Sequence, residues 1–151
     1  MNKPLLTKAM ISYGQALAVA DPIRLRFWDK RGLTMPQLRL MYILFMNGEQ
    51  PVGELAEKMS VRPPTVTGLT DRLIRQKLIE RLPDPGDRRV VRVGLTNEGR
   101  RILGEIAVAS SAYLEPIFSQ MGEEKVMELV GLLDEFTKSA QAVQREGEFL
   151  P

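Results

Sequence analysis

Apolar residues recur at helical spacing through most of the chain, and in one short stretch they alternate instead. Leu6, Met10, Tyr13, Leu17 and Ala20 mark one face of a helix beginning near Pro4. Pro22 should kink or interrupt it, because proline lacks a backbone donor and its ring clashes with the preceding turn. The segment IRLRFW is expected to carry the helix beyond that point to a stop at Gly32. A second helix is read in LTMPQLRLMYILFMNG, where Leu38, Met41, Tyr42, Phe45 and Met46 form the apolar stripe. Thr34 and Gln37 have the spacing of a capping box, Pro36 sits in the first turn, and Gly48 is the stop. PVGELAEKMSV reads as a short helix with Leu55, Ala56 and Met59 inward. The next helix, in RPPTVTGLTDRLIRQKLIE, has Pro63 and Pro64 in its first turn and Val66, Leu69, Leu73 and Ile74 on its buried face. Thr65, Thr67, Gly68, Asp71, Arg72 and Arg75 lie on or near the outer face. Two short helices joined by a tight turn make a helix-turn-helix layout.

The period then changes to two. LIERLPDPGDRRVVRVGLT sets Ile79, Leu82, Val91, Val93 and Leu95 against polar neighbours, with Pro83, Asp84, Pro85 and Gly86 as the turn. That is a β-hairpin directly behind a helix-turn-helix, a wing. Thr96 is placed to cap a long helix to about Gln120, with Ile102, Ile106, Ala109, Tyr113 and Ile117 on one stripe and Pro116 near its end. After Gly122 a last helix carries Val126, Leu129, Leu133, Phe136, Ala140 and Val143, widened by Met127, Val130 and Leu132. The tail EGEFLP is expected to be loosely held. The fold class is therefore mainly α with a small β-hairpin wing (α+β). A winged helix-turn-helix over residues 33–99 is flanked by dimerisation helices in 1–32 and 100–151. The outer stripes are too extensive to hide against so small a core, which implies a second copy of the chain with the terminal helices interleaved.

Composition narrows the chemistry. The chain has 151 residues, 44% of them apolar and 26% charged, ordinary values for a globular protein. With no cysteine and no histidine, it has no thiol chemistry, no disulfide, no imidazole base and no common zinc ligand. No pair of carboxylates stands out, so no enzyme activity, cofactor or metal is expected. There is no signal-peptide pattern at the start and no apolar run long enough for a membrane, so a cytoplasmic address is the default expectation. The net charge of +2 hides an uneven distribution: residues 60–101 carry a balance of +5 and residues 102–151 one of −6. A basic middle containing a helix-turn-helix and a wing points to a polyanion, double-stranded DNA.

The candidate contacts follow. Short polar residues near the start of a helix suit the major groove, which selects Arg62, Pro63, Thr65, Thr67 and Gly68, with Arg62, Arg72 and Arg75 reaching phosphates. At the hairpin tip Arg88 and Arg89 suit the minor groove, while Asp87 is expected to pair with a neighbouring arginine such as Arg72 and hold the tip in shape. Charged hairpin tips are commonly just solvated; it is the adjoining basic helix that changes the reading.

PVGELAEKMSVRPPTVTGLTDRLIRQKLIER and DRRVVRVGLTNEG resemble the MarR family of winged helix-turn-helix regulators. The second segment carries the pattern D-x-R-x5-L-T-x2-G at Asp87, Arg89, Leu95, Thr96 and Gly99. The resemblance covers residues 33–101 closely, and the outer helices fit the same plan. It implies a homodimer on a pseudo-palindromic operator, usually a repressor, with Arg89 in the minor groove and Thr65 and Thr67 at the major groove. It also implies a small aromatic or anionic effector bound between the dimerisation helices and the winged domain. Tyr13, Phe27, Trp28, Arg39, Tyr42 and Tyr113 are the pocket candidates, with Arg24 and Arg26 as further polar partners; ordinary packing is the plainer role for each. Three positions depart from the pattern: Arg62 and Pro51 stand where capping serine and threonine are common, and Gly68 where many relatives have arginine. The alternatives are a winged-helix protein-interaction module and a DNA-binding protein that answers to no ligand.

Overall fold

Prolines open most of the helices around the wing, and backbone in the left-handed region closes several of them. The computed structural model describes residues 2–23, 25, 32–87 and 89–145. Arg24, Arg26, Phe27, Trp28, Arg88 and the EGEFLP tail lie outside the described residues. The elements are α1 (Lys3–Ala18), α2 (Met35–Asn47), β1 (Gln50–Pro51), α3 (Val52–Met59), α4 (Pro63–Arg75), β2 (Ile79–Pro83), β3 (Val91–Leu95), α5 (Asn97–Met121) and α6 (Glu123–Arg145). The chain divides into two compact units, Met1–Ala109 and Ser110–Pro151, with the boundary inside α5. Among the described residues no helix is long and apolar enough to cross a membrane.

In the first unit α1 ends at Ala18, residues 19–20 form a turn, and residues 21–23 are helical again. The break precedes Pro22, which sits at the start of the new helical stretch where its missing donor costs nothing. α1 buries none of its side chains. The capping box of α2 is present in full: Gln37 N–H donates to Thr34 Oγ1 at 3.3 Å, and Thr34 N–H to Gln37 Oε1 at 2.8 Å. The stripe expected for α2, however, straddles the helix: Met41 lies in the core and Leu38 packs against it, while Tyr42, Phe45 and Met46 point outward. Leu40, Met41 and Leu44 are buried with Gln37, whereas Tyr42, Phe45 and Met46 are more than half exposed. The helix is apolar on both sides, so periodicity alone could not choose the face that meets the core. Tyr42 and Phe45 stack on each other outside, with ring centroids 6.5 Å apart.

The core joins Leu33, Leu40, Met41 and Leu44 to Leu55 and Met59 of α3, Val66, Leu69 and Leu73 of α4, Ile79, Val93 and Leu95 of the sheet, and Ile102 of α5. Each fully buried leucine contributes about 1.5–3 kcal/mol. α3 turns Leu55, Ala56 and Met59 inward, as expected. It ends at Ser60 with φ 54°, a non-glycine residue in the left-handed region, where the N–H groups of Ser60 and Val61 return to Glu57 and Ala56 carbonyls. This is the tight turn of the helix pair. Neither α3 nor α4 has a side-chain cap; Pro51 and Arg62 occupy the cap positions, and prolines stand at the start of α4.

The sheet has three strands, in the order β1-β3-β2, all antiparallel. β1 was not foreseen: Gln50 and Pro51 pair with Val93 and Arg92. Proline is tolerated there because β1 is an edge strand. Pairing of Ile79 with Leu95 and of Arg81 with Val93 puts these four on one face. Leu82 faces the other way with Arg92 and Gly94, so it does not share the face of Ile79, from which it is an odd number of residues away. A Cβ on Gly94 would lie 3.0 Å from Leu82 Cδ1 and 3.1 Å from Glu49 Cγ, so the missing side chain is what lets Leu82 cover the strand.

The join between the wing and α5 is tight. Thr96 N–H donates to Leu78 O at 3.1 Å, and its hydroxyl donates to Lys77 O at 2.7 Å while accepting from Gly99 N–H at 3.0 Å. A Cβ on Gly99 would fall 2.1 Å from Leu78 O. This gives the spacing L-T-x2-G a physical reason. In the second unit α5 closes at Gly122 with φ 84° and α6 follows, its first turn carrying Glu123 and Glu124. Met127, Val130, Leu132, Leu133 and Phe136 of α6 are each more than half exposed.

Gly99→Ala should destabilise the protein by about 1–3 kcal/mol or more, because the carbonyl it would strike belongs to the backbone and cannot rotate away. Urea unfolding followed by far-UV circular dichroism measures this directly. An unchanged midpoint would contradict the contact.

Candidate nucleic-acid interface

The arrangement starts with how α4 divides its sides. Val66, Leu69, Thr70 and Leu73 are buried and Ile74 packs against the core, leaving Arg62, Pro63, Thr65, Thr67, Gly68, Arg72 and Arg75 exposed. At 3.6 residues per turn the side opposite the core is centred on Pro64, Gly68, Asp71 and Arg75. Thr65 and Arg72 form one flank and Thr67 the other. Pro64 was therefore missed as a central outward residue, although its place two positions from Arg62 was legible. Thr70 was missed as a buried one; its hydroxyl is satisfied by donating to Thr67 O at 2.9 Å. The Thr67 hydroxyl donates to Pro63 O at 3.1 Å, which leaves its lone pairs and methyl for outside contact. Gly68 has no atom within 4 Å of where a Cβ would stand, so packing does not demand glycine here.

Asp71 is not an idle acid on a basic face. Arg81 of β2 donates through Nη2 to Asp71 Oδ1 at 2.7 Å, joining α4 to the wing. Both side chains are well exposed, so the pair contributes at most about 1 kcal/mol. Its effect is to fix direction.

The wing tip is organised by two aspartates. Asp84 Oδ1 accepts from Gly86 N–H at 2.8 Å and Asp87 N–H at 2.9 Å, closing the turn, and Asp84 Oδ2 accepts from Arg92 Nη1 at 3.2 Å. Asp87 does pair with an arginine, but the partner is Arg89 and not Arg72. Asp87 Oδ1 accepts from Arg89 N–H at 2.9 Å and Nε at 3.2 Å, and Oδ2 accepts from Arg89 Nη2 at 3.2 Å. Two residues of separation inside one turn make this contact nearly obligatory, whereas Arg72 stands on another element. The side-on pair leaves the Nη1 donors of Arg89 pointing outward from a side chain that is 91% exposed. Arg62, Arg72 and Arg75 have no ion pair among the described residues. Arg72 and Arg75 also border an open cleft of about 260 Å³ with Gly32, Thr34, Gln37 and Gln76.

Four of the candidates for an effector pocket lie among the described residues. Tyr13 on α1 and Arg39 and Tyr42 on α2 are exposed, and Tyr113 lies on the part of α5 that belongs to the second unit. Among the described residues no group of acidic side chains is arranged to hold a metal ion.

Both aspartates titrate low. The N–H groups of Asp87 and Gly86, then the Arg92 guanidinium, hold Asp84 below the ordinary value of 3.8. The Arg89 guanidinium, then its N–H, does the same for Asp87. A carboxylate depressed in the folded state contributes fully above its unfolded value and loses that contribution as pH falls through its folded value. The wing should thus keep its shape at neutral pH and loosen below about pH 4. Carboxyl-carbon NMR titration should give midpoints below 3.8 for both residues; a midpoint at or above that value would contradict the hydrogen bonding described.

Comparison with known proteins agrees with this geometry. The MarR family model matches residues 33–91. The chain is 37% identical over 98 residues to the uncharacterized HTH-type transcriptional regulator YsmB of Bacillus subtilis, covering 65% of this chain and 67% of that one. It is 28% identical over 142 residues to the HTH-type transcriptional repressor MdtR of the same organism, covering 94% and 92%. Among solved structures, that of NadR in complex with 4-hydroxyphenylacetate superposes with a TM-score of 0.67 at 30% identity, covering 85% of this chain and 91% of that one. With a full winged helix-turn-helix and relatives of this kind along most of its length, the chain belongs to the MarR family of DNA-binding transcriptional regulators.

Proposed function

We propose that the protein is a homodimeric repressor that reads a pseudo-palindromic operator and is released from it by a small aromatic or anionic ligand. The observation that carries the DNA contact is the pairing of an outward, uncapped α4 with a wing whose Arg89 is held by Asp87 yet fully exposed. In this reading Thr65, Thr67 and the bare backbone at Gly68 meet base edges, with Arg62 and Pro63 at the entry of the helix. Arg72 and Arg75 meet phosphates, and Arg89, with Arg88 beside it in sequence, enters the minor groove. Asp87 orients the guanidinium and makes no DNA contact itself.

A second copy of the chain is supported by the apolar surface left on α6 and on α1, where Leu5, Met10, Ile11 and Tyr13 are also more than half exposed. In the proposed assembly residues 1–32 and 100–151 carry the dimer, and two copies of 33–99 present their α4 helices about one DNA turn apart, ~34 Å. A ligand that favours a different spacing releases the operator, and only its differential affinity for the two arrangements can do so. The ligand response draws on NadR, which binds 4-hydroxyphenylacetate, and on the aromatic and basic candidates Tyr13, Phe27, Trp28, Arg39, Tyr42 and Tyr113.

Selecting duplexes from a random pool with the pure protein should return an inverted repeat with half-sites one turn apart. On that site Arg89→Ala should weaken binding about tenfold, leave the sedimentation coefficient unchanged, and lower the salt slope by about one counterion. Random DNA competing as well as the selected site would instead favour a protein-interaction role for the wing.

Gly68→Ala separates fold from function. The open space around Gly68 means the variant should be more stable by about 1 kcal/mol, through helix propensity alone. Its operator affinity should nonetheless fall, because the added methyl occupies the place where helix backbone and DNA meet. Equal or tighter binding would move the contact elsewhere on α4.

A further inference from the structure

The pair formed by Arg92 and Asp84 has no role in the contacts above, and its placement is unusual. Arg92 sits in the middle strand of the sheet, paired with Pro51 on one side and Leu82 on the other. Its side chain is only 26% exposed, although it projects from the solvent face of a small hairpin. Both ends of the guanidinium are engaged: Nη2 donates to Glu49 O at 2.7 Å and Nη1 to Asp84 Oδ2 at 3.2 Å. The Glu49 carbonyl is itself a fixed point. Gln50, almost fully buried, donates its side-chain amide to that carbonyl at 2.9 Å and to Asn47 O at 3.0 Å, and Lys58 of α3 donates to the Gln50 side-chain oxygen. From Asp84 the chain of hydrogen bonds runs on through the Asp87 N–H to the Asp87 carboxylate and Arg89.

We propose that Arg92 is a positioning residue for DNA binding, bridging the end of α2 to the wing turn and so setting where Arg89 reaches. This rests on the reading above that Arg89 meets DNA. Beyond the two residues of β1 and the Asp71–Arg81 pair, the hairpin tip hangs on two strands of five residues each, and a short two-stranded ribbon is pliable about its own twist. A planar fork with two fixed acceptors on different segments removes that freedom. A lysine ammonium, a single point charge on a flexible stem, reaches one acceptor or the other. Direct phosphate contact by Arg92 is disfavoured, since both of its ends are occupied and most of its surface is covered.

A double-mutant cycle on the selected operator tests this. Arg92→Ala should lower affinity roughly three- to tenfold, no more than the loss of Arg89 itself, with the dimer intact, and Arg92→Lys should recover little of it. In the Arg89→Ala background the same Arg92→Ala change should cost less than about twofold, because the group it aims is gone. A role confined to fold stability, or a phosphate contact of its own, makes the two losses multiply instead, and that result overturns the proposal, as does undiminished binding by Arg92→Ala. Should Arg92→Ala fail to fold, Asp84→Asn cuts the same chain from the other side and is expected to show the same coupling to Arg89. If the wild-type protein prefers no duplex at all, the DNA reading fails and takes this inference with it; normal wild-type binding with additive losses sinks the inference alone.

Discussion

Three segments converge on the carbonyl oxygens of Lys77 and Leu78. α4 ends there through Lys77, which adopts φ 59° so that its N–H returns to Ile74 O and the next N–H to Leu73 O. The strand that returns from the wing arrives as Thr96, which binds both carbonyls, and the first turn of α5 presses Gly99 against Leu78 O. The root of the wing is set at this junction. The wing leaves and re-enters the core at one point beside the end of α4, so its base has a fixed place relative to the outward face of that helix. The hydrogen bonds individually contribute only about 1 kcal/mol. Their joint effect is to leave a single way for helix, strand and helix to meet.

Charge serves position more than stability in this part of the molecule. Asp71, Asp84 and Asp87 each take one arginine, respectively Arg81, Arg92 and Arg89: the first pair joins α4 to β2, the second the wing turn to β3, and the third stays inside the turn. The two exposed pairs, at Asp71 and Asp87, contribute little to the folding free energy. An acid beside a DNA-facing surface would be a liability if it stood alone, since it would repel phosphate. Tied to arginine it repels little and restricts the rotamers of a long side chain, so less entropy is lost when that side chain meets its target. The same rule accounts for Arg101 on α5, held by Glu98 at 2.5 Å and by Glu105, which raise its affinity for its proton. That cluster lies on regular helix and braces no turn.

The layout of the winged core was legible because local chemistry and long-range packing agree there. Thr34 with Gln37, prolines at helix starts, the Pro-Asp-Pro-Gly turn and the L-T-x2-G pattern each have a cause within a few residues. What was not legible depends on distance. α2 is apolar on both sides, so only the contacts of Leu40 and Leu44 with the rest of the core decide which side is inside. β1 is two residues long, one of them proline, and exists only because β3 offers it a partner. Leu82 falls on the face opposite Ile79, which register decides and hydrophobicity does not. Lys77 gave no sign of left-handed backbone, since no glycine marks it. Asp87 takes the arginine of its own turn, Arg89, over the remote Arg72. Arg92 was passed over because an arginine alternating with valine reads as a solvated strand residue, and its acceptor at Glu49 is 43 residues away.

The outward stripe of α2 and the bare surfaces of α1 and α6 belong to one physical problem. Isolated apolar side chains on a surface are ordinary, but Tyr42, Phe45 and Met46 on consecutive turns, and five large residues within ten positions of α6, are not isolated. Removing such stripes from water yields about 25 cal/mol per Å², enough to drive association when several helices contribute. A surface whose burial depends on how helices are arranged also gives the molecule a way to change state. If apolar area is covered in two different helix arrangements, their free energies can lie within a few kcal/mol of each other, and a small ligand with modest differential affinity can choose between them. The winged core, locked at Lys77 and Leu78, has no such freedom and would move as a rigid piece. In the proposed dimer, its distance from its twin is then the variable on which the proposed ligand would act.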